Sequence, residues 1–276
     1  MLESAKLASR GSSGNVAAMS VAASDAERLR SMGVLRLRAD NPGPLTMSGT
    51  NSWVVGRDPA WVVDPGPMLA EHQQALAAAI VERGGLGGIA LTHDHIDHSE
   101  SVAALRERFP APLAAGRGTS EIKLRDGLRF GPFEALYAPG HAPDHYALLM
   151  DGVCFAGDAV LGEGSVFIAP DPGALKGYLD ALARLRERDP EVVCPGHGPP
   201  IWTPRERFSA YIEHRLDRER RLLAAIAECR RSTEELLDAA WSDVPEQLRP
   251  LAAVTLAAHL DKLAEEGRLP LPFATR

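Results

Sequence analysis

The chain has 276 residues, of which 45% are hydrophobic and 24% are charged, and its formal net charge is -7. This length suits one large domain, or one domain with a smaller companion. The acidic balance argues against a general nucleic-acid coat but allows a local basic patch. No apolar run approaches the roughly 18 residues of a membrane-spanning helix.

The first 30 residues are rich in Ala and Ser and lack the unbroken apolar core of a secretory signal. We expect residues 1–30 to be disordered, with organelle targeting as a weaker alternative. Three widely spaced cysteines follow, Cys154, Cys194 and Cys229. An odd number without motif spacing indicates a reducing compartment, so a cytoplasmic location is expected.

The first half of the chain predicts strands interspersed with helices. Val34 opens an alternating strand, and "NSWVVG" and "AWVVDPG" predict two more, joined by the turn at residues 57–59. A helix is predicted over residues 70–83 because helix formers end there at two glycines. "GIALTH" predicts a buried strand that stops at His93, and residues 98–108 again favour a helix.

The second half repeats this alternation. The predicted strands are 128–130, 133–138, 145–150, 153–157 and "EVVCPG", with a helix over residues 174–188. A strand-rich chain interrupted by helices twice over favours an α+β sandwich of two sheets between helices rather than a single wound sheet. We expect this domain to occupy residues 31–202.

A helical module is predicted from residue 203 to 276. Thr203 and Glu206 have the spacing of a capping box, and Pro204 suits the first helical position. The helix that follows should reach about residue 230. A second capping box, Ser232 with Glu235, precedes another helix, and a third should run from Pro250 to Glu266 before Gly267.

The stretch "THDHIDH" packs five metal-binding or proton-transferring side chains into six positions. Residues two apart on a strand share a face, so His93 and His95 should point together and Asp94 away. Asp97 and His98 lie where the chain turns into a helix. This arrangement predicts two pairs of ligands, which serve either one closed site or two separate metals.

Further ligand types follow other predicted strands in the same setting. His141, Asp158 and His197 each come after an apolar strand and a glycine, and Asp64 follows "WVV". Glycine lets the backbone approach a ligand closely. These strand ends should therefore deliver polar side chains to one edge of the fold. The other histidines lie in predicted helices and are taken as structural: His72, His214 and His259.

The motifs "THDHIDH", "PGHAPDH", "AGDAVLGEG" and "PGHGPP" together resemble the metallo-β-lactamase superfamily. With "YIEHRLDRER" and "HLDKLAEEGRL" added, residues 34–270 resemble the β-lactamase-like protein 2 family. The resemblance implies an αββα fold with a small C-terminal winged-helix-like domain. It also implies a metal-dependent hydrolase.

On this sequence, the resemblance implies two metal ions and a hydroxide between them as the nucleophile. His93, His95 and His141 would hold one ion, and Asp97, His98 and His197 the other, with Asp158 bridging. Zn²⁺ suits this ligand set best, while Fe and Mn are alternatives. Asp64 would orient a ligand histidine. Asp97 would accept a proton, and His145 would either donate a proton or orient a neighbour.

Several substrates remain open. True β-lactamases of the superfamily lack an aspartate at the position of Asp158, so the expected substrate is an ester, thioester or phosphodiester. The rivals are small acyl substrates, for which Leu45 and Met47 could form an apolar wall, and single-stranded RNA. From Arg205 to Arg231 we count eight arginines and five acidic residues, a small surplus for phosphate binding.

The C-terminal module has two further interpretations. As a winged-helix regulator it would bind nucleic acid, but its last two helices are acidic overall. Alternatively, it is a packing element that could support a homodimer. The mixed charges of its helices favour this interpretation over nucleic-acid binding.

Overall fold

The computed structural model describes residues 24–270. Residues 1–23 of the expected disordered segment, and residues 271–276 of the C-terminal module, lie outside the described residues. Residues 24–31 form a helix, α1, where disorder was expected. The helix is ordered because Leu29 is buried in the core and Asp25 accepts a hydrogen bond from the Trp202 indole at 2.7 Å.

The first sheet has six strands in the order β1-β2-β3-β4-β5-β6. Their bounds are β1 Val34–Arg38, β2 Asn51–Val55, β3 Ala60–Val63, β4 Leu86–Ala90, β5 Leu113–Ala115 and β6 Ile122–Lys123. The first three pair antiparallel and the rest parallel. The predicted early strands are confirmed, while β5 and β6 were not predicted.

The second sheet has five strands in the order β11-β10-β9-β8-β7. Their bounds are β7 Arg129–Phe130, β8 Phe133–Tyr137, β9 Tyr146–Met150, β10 Val153–Gly157 and β11 Val192–Pro195. All of these strands were predicted. Only the β10–β11 pair is parallel, since the chain crosses over through a helix between them.

Eight α-helices and one 3₁₀ turn lie in the described part of the chain. After α1 they are α2 Ala70–Glu82, α3 Ile96–Ser99, α4 Val102–Arg108, α5 Ala174–Glu187, α6 Pro204–Ala227, α7 Thr233–Ala240, η1 Glu246–Leu248 and α8 Arg249–Glu265. The helix predicted over 98–108 is thus split into two. None of the described helices combines the length and apolarity needed to cross a membrane.

Strand alternation sorts the apolar side chains into layers. Trp53 and Val55 of β2 join Phe155 of β10 in the core between the sheets. Val54 faces the opposite way, onto α2 and α4. Cys154 packs outward against α5 and α6. The order helix, sheet, sheet, helix confirms the αββα sandwich.

The C-terminal helices have a core of their own around Leu222, Leu237, Trp241 and Leu256. The capping box of Ser232 and Glu235 is confirmed at the start of α7. The one predicted at Thr203 is wrong, because its side chain makes no capping hydrogen bond. The backbone ψ of Thr203 is 62°, against the extended 151° of Ser232, so its hydroxyl is not presented to the first helical turn.

Candidate metal centre

The predicted ligands meet at one end of the sandwich, in the loops that follow the strands. Asp64 and Asp158 come directly after β3 and β10, and His197 comes two residues after β11. Two glycines allow the close packing. A Cβ at Gly196 would lie 2.2 Å from an Asp158 carboxylate oxygen, and one at Gly157 would lie 2.3 Å from the Thr92 hydroxyl. Neither position therefore has room for a side chain.

One group of ligand atoms is formed by three imidazoles. His95 Nδ1 lies 3.0 Å from His93 Nε2 and 2.9 Å from His141 Nε2. His93 and His141 are buried, whereas His95 is exposed. The three nitrogens point at one another, which leaves one open side at His95.

The second group combines a carboxylate with two imidazoles. Asp97 Oδ2 lies 3.4 Å from both His98 Nε2 and His197 Nε2. The same carboxylate oxygen accepts a hydrogen bond from the Thr50 hydroxyl at 2.8 Å. His98 and His197 are buried, and the Asp97 side chain is 23% exposed, so Asp97 borders the opening.

Asp158 lies between the two groups. Its Oδ1 is 3.6 Å from His98 Nε2, and its Oδ2 is 3.6 Å from His141 Nε2 and 3.3 Å from His197 Nε2. A single carboxylate thus faces one imidazole of the first group and two of the second. This is the position the resemblance implies for a bridging ligand.

The pairing of His93 with His95 does not arise as the sequence predicted. β4 ends at Ala90, and His95 is the N-cap of the single-turn helix α3. A loop and a helical turn, rather than strand alternation, therefore bring the two rings together. Asp94 does point away, being exposed and 4.0 Å from Arg117.

Asp64 orients one ligand in each group. Its carboxylate accepts hydrogen bonds from the amide and hydroxyl of Thr92, and its Oδ2 lies 3.1 Å from His98 Nδ1. Since the Thr92 hydroxyl donates to Asp64, it can only accept from His93 Nδ1, 3.0 Å away. Both histidines then carry a proton on Nδ1 and direct Nε2 inward.

The sequence signal for Thr92 was weak. It is a threonine that ends an apolar run directly before the first histidine, and its partners Asp64 and Gly157 are distant in sequence.

Burial and charge set the protonation states. Burial lowers the pKa of His93 well below its usual range and that of His141 to about 4. Burial also lowers the pKa of His98, but the neighbouring carboxylates of Asp158, Asp64 and Asp97 outweigh it and raise the pKa to about 9. Burial raises the pKa of Asp158, yet the surrounding imidazoles hold it well below its usual range. Asp158 is therefore ionised at neutral pH.

His145 lies behind the ligands. It is fully buried, its Nε2 accepts a hydrogen bond from the Asp158 amide at 3.1 Å, and its ring stacks on His93 with centroids 4.9 Å apart. Burial lowers its pKa to about 3. A neutral ring without access to solvent fits the role of orienting Asp158 better than that of donating a proton to a substrate.

The donor set fits divalent metal ions. Three groups have ligand atoms within 4.8 Å of one another: His93, His95 and His141; His93, His98 and Asp158; and Asp97, His98 and His197. Among the described residues, His98 Nε2, His141 Nδ1 and Asp158 Oδ1 are buried without a hydrogen-bond partner. Two of these atoms, on His98 and Asp158, face each other at the centre, where an ion would compensate the cost of their burial.

The remaining candidates lie outside this cluster. Leu45 is 55% exposed, and Met47 is partly buried against the core beside α5. His72 is bonded to the Ser52 hydroxyl at 2.9 Å. His214 and His259 belong to α6 and α8, away from the ligand loops. The structure thus gathers the seven predicted ligands, with His145 behind them, and leaves His72, His214 and His259 apart.

Comparison with known proteins decides the family. The profile of the metallo-beta-lactamase superfamily matches residues 45–132 and 124–197, together more than half of the chain. The chain belongs to this superfamily. It is accordingly a hydrolase of the metallo-beta-lactamase fold. A second profile, the beta-lactamase associated winged helix domain, matches residues 232–269 and identifies the C-terminal helices.

Three similar proteins illustrate the range of the superfamily. The Beta-lactamase-like protein 2 homolog of Drosophila melanogaster is 29% identical, covering 86% of this chain and 89% of the fly protein. The atrochrysone carboxyl ACP thioesterase of Aspergillus fumigatus is 28% identical, and the match covers 88% of this chain and 76% of the fungal protein. The crystal structure of a Beta-lactamase domain protein from Burkholderia ambifaria has a TM-score of 0.71 at 23% identity, covering 85% and 86%, and shares the fold.

Proposed function

We propose that the chain is a dinuclear, divalent-metal-dependent hydrolase of thioesters. The observation that carries this proposal is the position of Asp158 between two triads of ligand atoms. His93, His95 and His141 would hold one ion. Asp97, His98 and His197 would hold the other, and Asp158 would contact both.

The ligand chemistry indicates the type of ion. Imidazoles and carboxylates without a thiolate suit Zn²⁺, and Fe or Mn are the alternatives. Such ions supply hydroxide at neutral pH by lowering the pKa of water, and they polarise the bond under attack. The protein contributes the orientation of the ligands, through Asp64, Thr92 and His145. It also buries the site on every side except the one formed by His95 and Asp97.

Asp97 has a position suited to proton transfer. It is more exposed than Asp158, and Thr50 fixes its carboxylate from behind. We assign Asp97 the acceptance of the proton of the attacking water and its delivery to the leaving thiol. A thiolate leaves readily because it is a weak base, so its protonation is less demanding than that of the amine expelled from an amide.

The thioester is favoured over other substrates by two observations. One relative, matched over 76% of its own length, is named as a thioesterase. In addition, the arginines that gave residues 205–231 their basic surplus are already engaged. Each of the eight has a carboxylate or carbonyl partner: Arg205, Arg207, Arg215, Arg218, Arg220, Arg221, Arg230 and Arg231. A phosphate-binding face needs cations that remain available, so RNA is the weaker substrate candidate.

We also propose a division of the chain after Trp202, with the catalytic domain before it and the winged-helix module after it. The match of the second profile to residues 232–269 supports this division. The module then begins with α6, which packs against both α5 and α7.

The proposal is tested with purified protein of measured metal content. It should hydrolyse at least one of a panel of acyl thioesters, lose activity on chelation and regain it when Zn²⁺, Fe²⁺ or Mn²⁺ is restored. Lactones and single-stranded RNA are assayed in parallel. Cleavage of RNA alone, lost in Asp158→Asn, would overturn the thioester assignment in favour of a nuclease.

A matched pair of variants tests the site itself. Asp97→Asn should reduce the turnover number by at least about 100-fold, in the range expected for general acid–base catalysis. Asp94→Asn, three residues away and pointing outward, should leave it unchanged. Equal activity of the two variants at equal metal content would contradict the assignment.

A further inference from the structure

The segment that follows Asp158 forms one wall of the metal centre. Residues 161–168, "LGEGSVFI", contain no helix or strand, and we call them the 161–168 loop. They belong to an irregular stretch that runs from the end of β10 to the start of α5. Irregular stretches of this length in compact domains are usually functional.

Side chains of α6 hold the backbone of this loop. The Tyr211 hydroxyl donates to the Gly164 carbonyl at 3.0 Å and accepts from the Leu161 amide at 3.2 Å. Arg207 donates to the Leu161 carbonyl at 2.8 Å. Arg215, only 2% exposed, donates to the Val166 carbonyl. One face of a C-terminal helix thus fixes most of the length of the loop.

The last helix, α8, continues this attachment. The Thr255 hydroxyl accepts a hydrogen bond from the Ile168 amide at 3.3 Å, and the Glu265 carboxylate accepts one from the Gly173 amide at 3.0 Å. Val166 and Ile168 are buried in the same core as Tyr211 and Ala258. The C-terminal module therefore sets the conformation of the loop through both hydrogen bonds and packing.

The loop in turn touches the ligand loops. The Gly162 amide donates to the carbonyl of His197 at 2.9 Å. The Phe167 ring meets the His141 ring edge to face, with centroids 5.3 Å apart, and it is only partly buried. Phe167 is therefore an apolar side chain that borders the metal centre and keeps part of its surface exposed.

The apolar surface that the loop offers belongs to Phe167, because Leu161, Val166 and Ile168 are buried. The loop carries one acidic residue, Glu163, and no basic one. Met47, from the loop before β2, approaches it, since a Cβ at Gly164 would lie 3.5 Å from Met47 Cε. Phe167 and Met47 can remove apolar surface of a substrate from water.

We propose that the 161–168 loop, held in place by the C-terminal module, is the acyl-binding wall and that Phe167 contacts an apolar acyl group of the thioester. In this arrangement Phe167 determines specificity, while Tyr211 and Arg215 are positioning residues that act through the loop. The winged-helix module thereby serves substrate selection within its own chain. This inference rests on the proposed thioesterase function.

The test compares acyl-coenzyme A or acyl-pantetheine thioesters that differ in the acyl group, from acetyl to decanoyl and benzoyl. Phe167→Ala should reduce kcat/KM for decanoyl and benzoyl substrates by at least about 10-fold, in the range that apolar contacts provide. The value for acetyl should change little, and metal content should be unaffected. Phe109→Ala, a partly buried phenylalanine of another core, is the matched control.

Tyr211→Phe tests the positioning role without removing the packed ring. It should lower the ratio of decanoyl to acetyl kcat/KM, mainly through KM, at unchanged metal content. The melting temperature should fall modestly, because the Leu161 amide loses its acceptor. Arg215→Lys should have the same effect if it folds. An equal loss for all acyl groups, or no loss in Phe167→Ala, would overturn the inference. Absence of any thioester hydrolysis by the unmodified protein would instead overturn the proposed function.

Discussion

Asp64 accepts hydrogen bonds from both the backbone amide and the hydroxyl of Thr92, at 2.8 and 2.7 Å. The same carboxylate lies 3.1 Å from His98 Nδ1, and the Thr92 hydroxyl lies 3.0 Å from His93 Nδ1. One buried carboxylate therefore sets the orientation of a ligand in each triad, directly in one case and through a hydroxyl in the other. The two halves of the metal centre are coupled behind the ligands as well as through Asp158.

Replacing Asp64 by asparagine should weaken metal binding by about 10- to 100-fold, the usual cost of losing a partner that orients a ligand. If the oxygen of the new side-chain amide accepts from the Thr92 backbone amide, its NH₂ group faces two donors. Competition with a chelator of known affinity measures the effect. Asp151→Asn, on an exposed turn, is the control, and equal affinity of both variants would contradict the role of Asp64.

Thr92→Val should destabilise the metal-free protein by about 1–3 kcal/mol, because the buried His93 Nδ1 loses its partner and Asp64 Oδ2 keeps only His98. Valine matches threonine in shape, so packing is preserved. Thr92→Ser keeps the hydroxyl and should restore most of the stability and the metal affinity. Denaturant midpoints and metal titrations of the two variants measure this difference. A valine variant as stable as the unmodified protein, with the same metal affinity, would contradict the role of the hydroxyl.

His259 should make the protein sensitive to acid. The ring is fully buried, and neither nitrogen has a hydrogen-bond partner among the described residues. Burial, together with the nearby cations of Arg215 and Lys262, lowers its pKa to about 3. The unfolded chain then binds a proton that the folded chain does not. Neutral His259 therefore costs the folded state nothing above about pH 6.5, the usual pKa of histidine. Below that pH the free energy of unfolding falls, until the pH reaches about 3.

His259→Leu should remove this pH dependence. Below pH 6.5 the slope of the unfolding free energy against pH should change by about 1.4 kcal/mol per pH unit, which corresponds to one bound proton. Unfolding free energies measured at pH 8, 6 and 5 in metal-free protein check it, with Val81→Leu on the exposed face of α2 as control. Parallel pH profiles of variant and unmodified protein would contradict the prediction.

The two predicted capping boxes should differ in energy as they differ in geometry. Ser232→Ala removes a hydroxyl that accepts from the Glu235 amide and should cost about 1 kcal/mol. Thr203→Ala removes one that makes no capping bond and should be close to neutral. Urea unfolding midpoints of the two variants decide the matter, and equal losses would contradict it.

Much of the fold was predictable because the hydrophobic patterns are local. The alternation from Val34 and the apolar run of "AWVV" predicted strands that the structure confirms. β5 and β6 were missed since they are two or three residues long, and β5 is an apolar run without alternation. Such strands form because a neighbouring strand offers hydrogen bonds, which a local pattern does not reveal.

The candidate metal centre was likewise only partly predictable from the sequence. The ligand types cluster in short motifs, so they could be named from the sequence and the structure brings them together. Thr92 and Phe167 could not, because their roles depend on Asp64 and His141, to which only the folded chain brings them close. Side chains that orient ligands or form the wall are specified by tertiary contacts rather than by spacing.

The largest outer core continues across the boundary that we propose after Trp202. Phe208 and Tyr211 of α6 are buried with Tyr178 and Leu182 of α5 in one continuous cluster. A fragment that ended at Trp202 would expose that cluster to water and would lose the anchors of the loop beside the metal centre. Heating should therefore unfold the whole molecule in a single cooperative transition, and neither half should persist as an independently folded unit.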